Sequence, residues 1–250
     1  MTPYYADDSV TLYHGDFREV LPTFSTRADL IVTDPPYGET ALAWDRWPKG
    51  WPNIVAEHSR SMWCFGSMRM FLDQRHEFTD WKLSQDVVWE KHNGSGFAAD
   101  RFKRVHEFAL HWYRGDWSTI HHETPVTHDA TARVVKRRGR TEHTGKIGDQ
   151  TNYATVDGGP RLERSVIYAR NMNGAAINET EKPAALVERF VSYGCPPGGV
   201  VLDPFAGSAS TLVAARNLGR RAVGVEMRED QCEKAAKRLC QDVLDFGGAA

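Results

Sequence analysis

Asp34-Pro35-Pro36-Tyr37 is a tetrapeptide rich in hydrogen-bond acceptors and poor in donors. Neither proline has an N–H, and each pushes the residue before it into an extended conformation. The unit presents a carboxylate, backbone carbonyls and an aromatic ring, which suits a planar substrate carrying N–H groups. The plain alternative is a strand followed by a polyproline turn with a surface tyrosine. A second stretch, Asp203-Pro204-Phe205-Ala206-Gly207-Ser208, joins an acid to a glycine-containing turn ahead of a helical pattern. Such a turn lets a ligand approach the backbone, and the helix N-terminus favours a carboxylate. It is neither GxGxxG nor GxxxxGK[ST], which disfavours a dinucleotide pyrophosphate or a nucleoside triphosphate. Glu226, directly after the next apolar run, is placed to accept from both hydroxyls of a ribose. Turn and acid together fit a ligand with an amino-acid end and a nucleoside end.

These residues need strands and helices to carry them. Leu30–Thr33 is a short apolar run rich in β-branched residues, which reads as a buried strand that stops at the prolines. Val10–His14, Met62–Phe65, Leu83–Trp89, Val105–Trp112, Val200–Leu202 and Ala222–Val225 read as further strands. Helical patterns are predicted over Phe17–Leu21, from Pro52 to about Ser61, and after Ser67 with Met68, Phe71 and Leu72 on one face. Others cover Pro183–Tyr193, Ser208–Leu218 and about Asp230–Leu244. Strands alternating with helices predict an α/β fold, a doubly wound and mostly parallel sheet covered on both faces. In such sheets ligands sit outside the carboxyl ends of strands, where the chain order reverses. Asp16, Asp34, Asp203 and Glu226 each follow a predicted strand, so parallel strands would bring all four carboxylates to the rim of one crevice.

The chain has 250 residues, 41% of them hydrophobic, enough for one sizeable core with a smaller insertion. Net charge is -2, so nucleic-acid binding would have to come from local basic patches. From Arg114 to Tyr168 periodicity disappears, and Arg133, Lys136, Arg137, Arg138, Arg140 and Lys146 fall there. A charge run is usually a solvated face; here it is also the best source of phosphate contacts. Arg101, Lys103 and Arg104 form a weaker patch. The expected division is 1–113 for the first half of the main domain, 114–168 for an insertion and 169–250 for the second half. Cys64, Cys195, Cys232 and Cys240 form no ligand pattern, and the histidines show no metal-binding spacing, so no metal is expected. The N-terminus lacks a signal-peptide pattern and no apolar run reaches membrane-span length, so a soluble cytoplasmic protein is expected.

On Asp34–Tyr37, Asp203–Gly207 and Glu226 the chain resembles the S-adenosylmethionine-dependent DNA amino-methyltransferases, in the permuted motif order with the catalytic motif ahead of the cofactor motif. The resemblance implies a class I methyltransferase fold, circularly permuted, with a target-recognition insertion. It makes Asp34, Pro35, Pro36 and Tyr37 the catalytic motif. Asp203, Phe205, Ala206, Gly207 and Ser208 become the S-adenosylmethionine loop, and Glu226 the ribose acid. Thr180, Lys182 and Pro183 would pack against the methionine part of the cofactor, and Asp16 would lie near its adenine ring. Val87–Lys91 and His106-Glu107 match weaker blocks. The family's loop pattern ends in a second glycine where this chain has Ala209, a mild change if φ there is negative.

The resemblance further implies methyl transfer to the N6 amine of an adenine in double-stranded DNA. Asp34 and the Pro35 carbonyl would each accept one N–H, turning the nitrogen lone pair toward the methyl group. The base must leave the duplex to be reached, and Tyr37 would stack on it. Trp44 and Trp47 would stack or fill the gap, or simply pack their loop. The basic run would contact phosphates. Cytosine-N4 methylation on the same scaffold is the nearest alternative; that branch more often has serine at the Asp34 position. RNA or a protein glutamine as acceptor, and a DNA-binding module without catalysis, fit the permuted order, the basic insertion and the intact motif less well. A second copy of the chain and a cognate restriction endonuclease are further partners that the resemblance allows.

Overall fold

A computed structural model describes residues 1–25, 27–92, 94, 99–136, 152–170 and 181–244, with side chains to residue 241. The chain enters through β1 (Tyr5–Ala6) and β2 (Val10–His14), then α1 (Phe17–Val20) and β3 (Leu30–Thr33). Next come α2 (Trp51–Val55), β4 (Ser61–Gly66), α3 (Met68–Asp73), β5 (Lys82–Lys91) and β6 (His106–Tyr113). Short strands β7 (Val126–Thr127), β8 (Arg133–Val135), β9 (Tyr153–Thr155) and β10 (Arg161–Leu162) follow, then β11 (Val166–Ala169). The chain closes with α4 (Ala184–Gly194), β12 (Val200–Asp203), α5 (Ser210–Asn217), β13 (Arg221–Glu226) and α6 (Glu229–Leu244).

Among the described residues nine strands form one sheet in the order β1-β2-β13-β12-β3-β4-β6-β5-β11. From β2 to β4 every pairing is parallel. β6 runs antiparallel to both β4 and β5, and β11 returns parallel to β5. At the centre β12 pairs with β3, with Val201 opposite Leu30 and Leu202 opposite Ile31. The central strands are apolar throughout because both faces are covered. Leu30 and Val32 pack into the layer holding Leu186, Phe190, Leu212 and Leu239 of α4, α5 and α6. Ile31 points the other way, toward Val20, Trp51, Met70 and Phe71 of α1, α2 and α3. That alternation along one strand is the period-2 geometry of β structure.

Several elements differ from the sequence reading. α2 stops at Val55 instead of running to Ser61, because the chain turns there to start β4 at Ser61, with Ser59 Oγ donating to the Ser61 carbonyl at 3.1 Å. In α3 the buried pair is Met70 and Phe71; Met68 and Leu72 are 44% and 66% exposed. The helix lies over Gly66, where any Cβ would strike the Met70 and Phe71 side chains, and this contact sets which face turns inward. α5 begins at Ser210, two residues later than its pattern suggested.

The stretch from 114 to 168 is not uniformly aperiodic, since its last residues open β11 at the sheet edge. One compact unit comprises 1–123 and 165–250, the other Thr124–Arg164. The smaller unit holds two antiparallel pairs, β7 with β10 and β8 with β9. It is stapled by Arg161, whose Nε and Nη2 each donate to Asp129 at 2.7 Å. No helix among the described residues is long and apolar enough to cross a membrane.

Candidate active site

Asp16, Asp34, Asp203 and Glu226 line one crevice of about 450 Å³. They meet there because β2, β3, β12 and β13 are parallel and each acid stands at or just past a carboxyl end. Thr33 Oγ1 donates to Asp203 Oδ1 across the β3–β12 seam at 2.9 Å, tying the two motifs together.

On one side of the crevice stands Asp34. Its Oδ1 accepts the Tyr37 hydroxyl at 2.5 Å, and its Oδ2 accepts the Lys182 ammonium. Burial, with the Glu107 carboxylate adding to it, raises the Asp34 pKa against the pull of Lys182 and Tyr37. Lys182 reaches Glu107 as well, with Nζ 3.4 Å from Oε2. Burial would lower the Lys182 pKa, but the two carboxylates outweigh it and the pKa is raised. Glu107 in turn accepts from Lys91 through Oε1. Burial would raise its pKa, yet Lys182 and Lys91 hold it below the usual range. The result is a chain of alternating charge, Asp34–Lys182–Glu107–Lys91, on the floor of the site. The loop after Tyr37 is fixed by buried Asp45, which accepts from the Gly38 and Thr40 N–H groups at 2.8 and 2.7 Å.

The other side is built around the loop between β12 and α5. Glu226 accepts the Gly207 N–H through Oε2 at 2.9 Å and the Arg228 N–H through Oε1 at 2.8 Å. Asp203 Oδ1 also accepts the Phe205 N–H at 3.1 Å, and burial pushes its pKa up to about 6. Phe205 packs edge-on against Phe17 and Trp51, with centroids 5.0 and 5.5 Å apart. Arg238 of α6 clamps the loop from behind. Its Nη1 donates to Glu181 Oε1 at 2.8 Å and to the Ser208 carbonyl at 3.1 Å. Ala206, Gly207 and Ser208 line the crevice. The condition attached to Ala209 fails: its φ is +64°, a left-handed conformation that glycine adopts without strain and alanine does not.

The remaining residues singled out in the sequence are placed as follows. Asp16 reaches the crevice, but its Oδ1 caps α1 by accepting the Arg18 N–H at 2.8 Å. Pro183 caps α4 and is buried. Lys182 turns its ammonium onto Asp34. Thr180 lies outside the described residues, as do Arg137, Arg138 and Arg140. Trp44 lines the crevice under the Arg228 guanidinium, 5.1 Å from the ring centroid. Trp47 also lines it and packs on Trp51 and Phe78. Arg133 and Lys136 are exposed in the smaller unit. Three residues the sequence reading left without a role are Glu107, Arg238 and Thr33. Only Glu107 had any signal, as part of the His106-Glu107 block.

A mostly parallel α/β sheet thus brings the Asp-Pro-Pro-Tyr motif, a glycine turn and Glu226 to one crevice, the arrangement of a group-transfer enzyme of the α/β class. The model of the N6/N4 DNA methylases matches residues 28–237, and the chain belongs to that family. It is 27% identical over 264 residues to the type II methyltransferase M.ScaI of Streptomyces caespitosus, covering 95% of this chain and 83% of that one. It is 26% identical to the putative methylase YubD of Escherichia coli K12, covering 94% and 93%. Among solved structures, the M1.HpyAVI–SAM complex superposes with a TM-score of 0.62 at 23% identity, over 92% of this chain and 98% of that one. The cytosine-N4-specific PvuII DNA methyltransferase gives 0.62 at 15% identity, over 98% and 93%. At these identities the structures establish the fold.

Proposed function

We propose that this chain methylates the N6 amine of an adenine flipped out of duplex DNA, with S-adenosylmethionine as methyl donor. The observation that carries the reading is the meeting of Asp34-Pro35 with Gly207 and Glu226 in one crevice. The residues fit the donor. Each Glu226 oxygen takes a single backbone N–H, so both keep a lone pair for a ribose hydroxyl. The crevice end of α5 suits a carboxylate, and Phe205 offers an apolar wall. When bound, the donor supplies a methyl group made electrophilic by its sulfonium.

Everything else is the work of this chain. The exocyclic amine of adenine is a weak nucleophile because its lone pair is delocalised into the ring. Asp34 and the Pro35 carbonyl accept its two N–H bonds and localise that lone pair, so the motif acts by orientation and charge stabilisation. Tyr37 stacks on the base, a contact worth roughly 1–3 kcal/mol. The loop carrying Trp44 and Trp47 borders the same space. Arg133, Lys136, Arg137, Arg138 and Arg140 contact phosphates, giving salt-dependent affinity without sequence information. An aspartate at the head of the motif, where the cytosine branch more often has serine, favours adenine. We extend the type II character of M.ScaI to this chain as protection of one DNA site from a cognate endonuclease.

The test is transfer of a labelled methyl group to unmethylated duplex DNA, followed by nucleoside digestion and mass spectrometry. N6-methyladenine is the expected product. N4-methylcytosine would overturn the base assignment, and no labelled nucleoside would overturn the reading as a whole.

A further inference from the structure

Each oxygen of Asp34 already accepts one of the chain's own donors, so an arriving amine either shares an oxygen's second lone pair or takes a donor's place. The Tyr37 hydroxyl holds Oδ1 from three residues away, on the same stiff turn. The Lys182 ammonium holds Oδ2 from the segment before α4. Glu107 Oε2 is buried 3.4 Å from that same ammonium, an ion pair too stretched and misaligned for a good hydrogen bond. A buried carboxylate oxygen so loosely paired gains from a closer approach of its cation.

Glu107 cannot easily turn to meet the lysine, because Lys91 fastens its other oxygen. The ammonium is the part that can move. It lies among aromatic rings, 5.2 Å from the centroid of Phe65 and 6.0 Å from those of Tyr37 and Trp89. Ring faces attract a cation without demanding one direction, so they allow a short displacement between two acceptors.

We propose that Lys182 is a movable counter-ion, a positioning residue that rests on Asp34 in the free enzyme and shifts to Glu107 when the target amine takes Asp34 Oδ2. The inference rests on the reading of Asp34 as the amine acceptor and adds a role for Glu107, which becomes the receiving site. In the free enzyme Lys182 favours the ionised form of Asp34 against the burial that opposes it. On substrate entry its departure leaves Asp34 a stronger acceptor for the amine N–H, while the four-group cluster stays neutral throughout. The charged and titratable groups facing Asp34 are Tyr37 on its own turn, Lys182 ahead of α4, Glu107 on β6, Cys64 on β4 and Asp203 on β12.

The experiment compares Glu107→Gln, Lys182→Met and the double variant, each checked for folding by thermal melting. With Glu107→Gln the receiving site keeps an acceptor oxygen but loses its charge, so the lysine gains far less by leaving Asp34. The expected result is kcat at least tenfold lower, with cofactor affinity within twofold of wild type. Adding Lys182→Met uncovers Asp34, so at alkaline pH the double variant should recover activity over Glu107→Gln alone. Lys182→Met by itself should shift the acid limb of the kcat–pH profile upward. A readout without cofactor or DNA is infrared difference spectroscopy. Lys182→Met should show a protonated-carboxyl band at neutral pH that vanishes when Asp34→Asn is added. Unchanged kcat in Glu107→Gln, or a double variant no better than it, would overturn the proposal. Should Glu107→Gln not fold, an unshifted acid limb in Lys182→Met would do the same. If wild type modifies no DNA amine, the proposed function fails instead, and the infrared result still reports whether Lys182 controls Asp34.

Discussion

Asp34 and Glu226 stand on the two sides of one crevice and are held by different kinds of donor. Glu226 is gripped by two backbone N–H groups, from Gly207 and Arg228, which move only if the loop moves. Asp34 is gripped by two side chains, Tyr37 and Lys182, which can rotate away. The difference matches what each side must do under the proposed function. A group that holds a cofactor benefits from an acceptor already fixed before binding. A group that receives a flipped base needs an acceptor kept ionised while the base is absent and released when it arrives. Backbone donors provide the first, and a buried ion pair with an alternative partner provides the second.

The largest expected effect falls on the movable side. Asp34→Asn should reduce methyl transfer about 10³-fold or more while leaving cofactor affinity nearly unchanged, since it removes charge stabilisation but not the cofactor loop. Single-turnover transfer and equilibrium cofactor binding check the split, and a parallel loss of both would erase the distinction between the two sides. Glu226→Gln should do the reverse. Its cofactor Kd is expected to rise about tenfold, the weight of one charge-assisted hydrogen bond, with kcat at saturating cofactor little altered. Calorimetric titration with the donor measures it.

Asp203 tests the rigid side through stability. Its pKa in the folded chain is about 6 against 3.8 unfolded, because it is buried. The native state therefore binds the proton more tightly. The stability this contributes is full below about pH 4 and lost as pH rises through 6. Asp203→Asn should remove that loss, making the variant more stable than wild type above pH 6 by about 1–3 kcal/mol, with the gap closing near pH 4. Denaturant melts across that range decide it. A gap that does not depend on pH would mean the Asp203 charge is not the cause. The smallest effect belongs to Ala209→Gly. Left-handed strain of roughly 1–2 kcal/mol at φ +64° outweighs one buried methyl worth about 0.8 kcal/mol, so a gain below about 1 kcal/mol is expected. A loss on the same melting assay would show that the methyl packs better than its backbone suffers.

The strand ends were readable in the amino-acid order because the signals are local. The apolar run Leu30–Thr33 followed by two prolines, and Val200–Asp203 followed by Pro204, mark both where a strand stops and which acid stands there. The β3–β12 pairing followed from the permuted motif order that the resemblance implies, not from hydrophobic pattern. The edge strand β11 escaped notice because it is four residues long with only Ile167 buried, too short and too exposed for a period to emerge. The buried face of α3 escaped for a similar reason, as six residues make less than two turns.

Sequence alone determined that four acids follow four strands and that two motifs, remote along the chain, must converge. The partners of those acids were decided only in three dimensions. Lys182 lies 148 positions from Asp34, and Arg238 lies 57 from Glu181. Nothing periodic records such pairings. A long charged side chain reaches whichever counter-charge the packed sheet brings within a few ångströms, and low polarity inside the fold makes that choice strong. Ala209 shows the same limit in the backbone: its letter reports an ordinary helix former, while the turn closing over the crevice imposes the left-handed conformation.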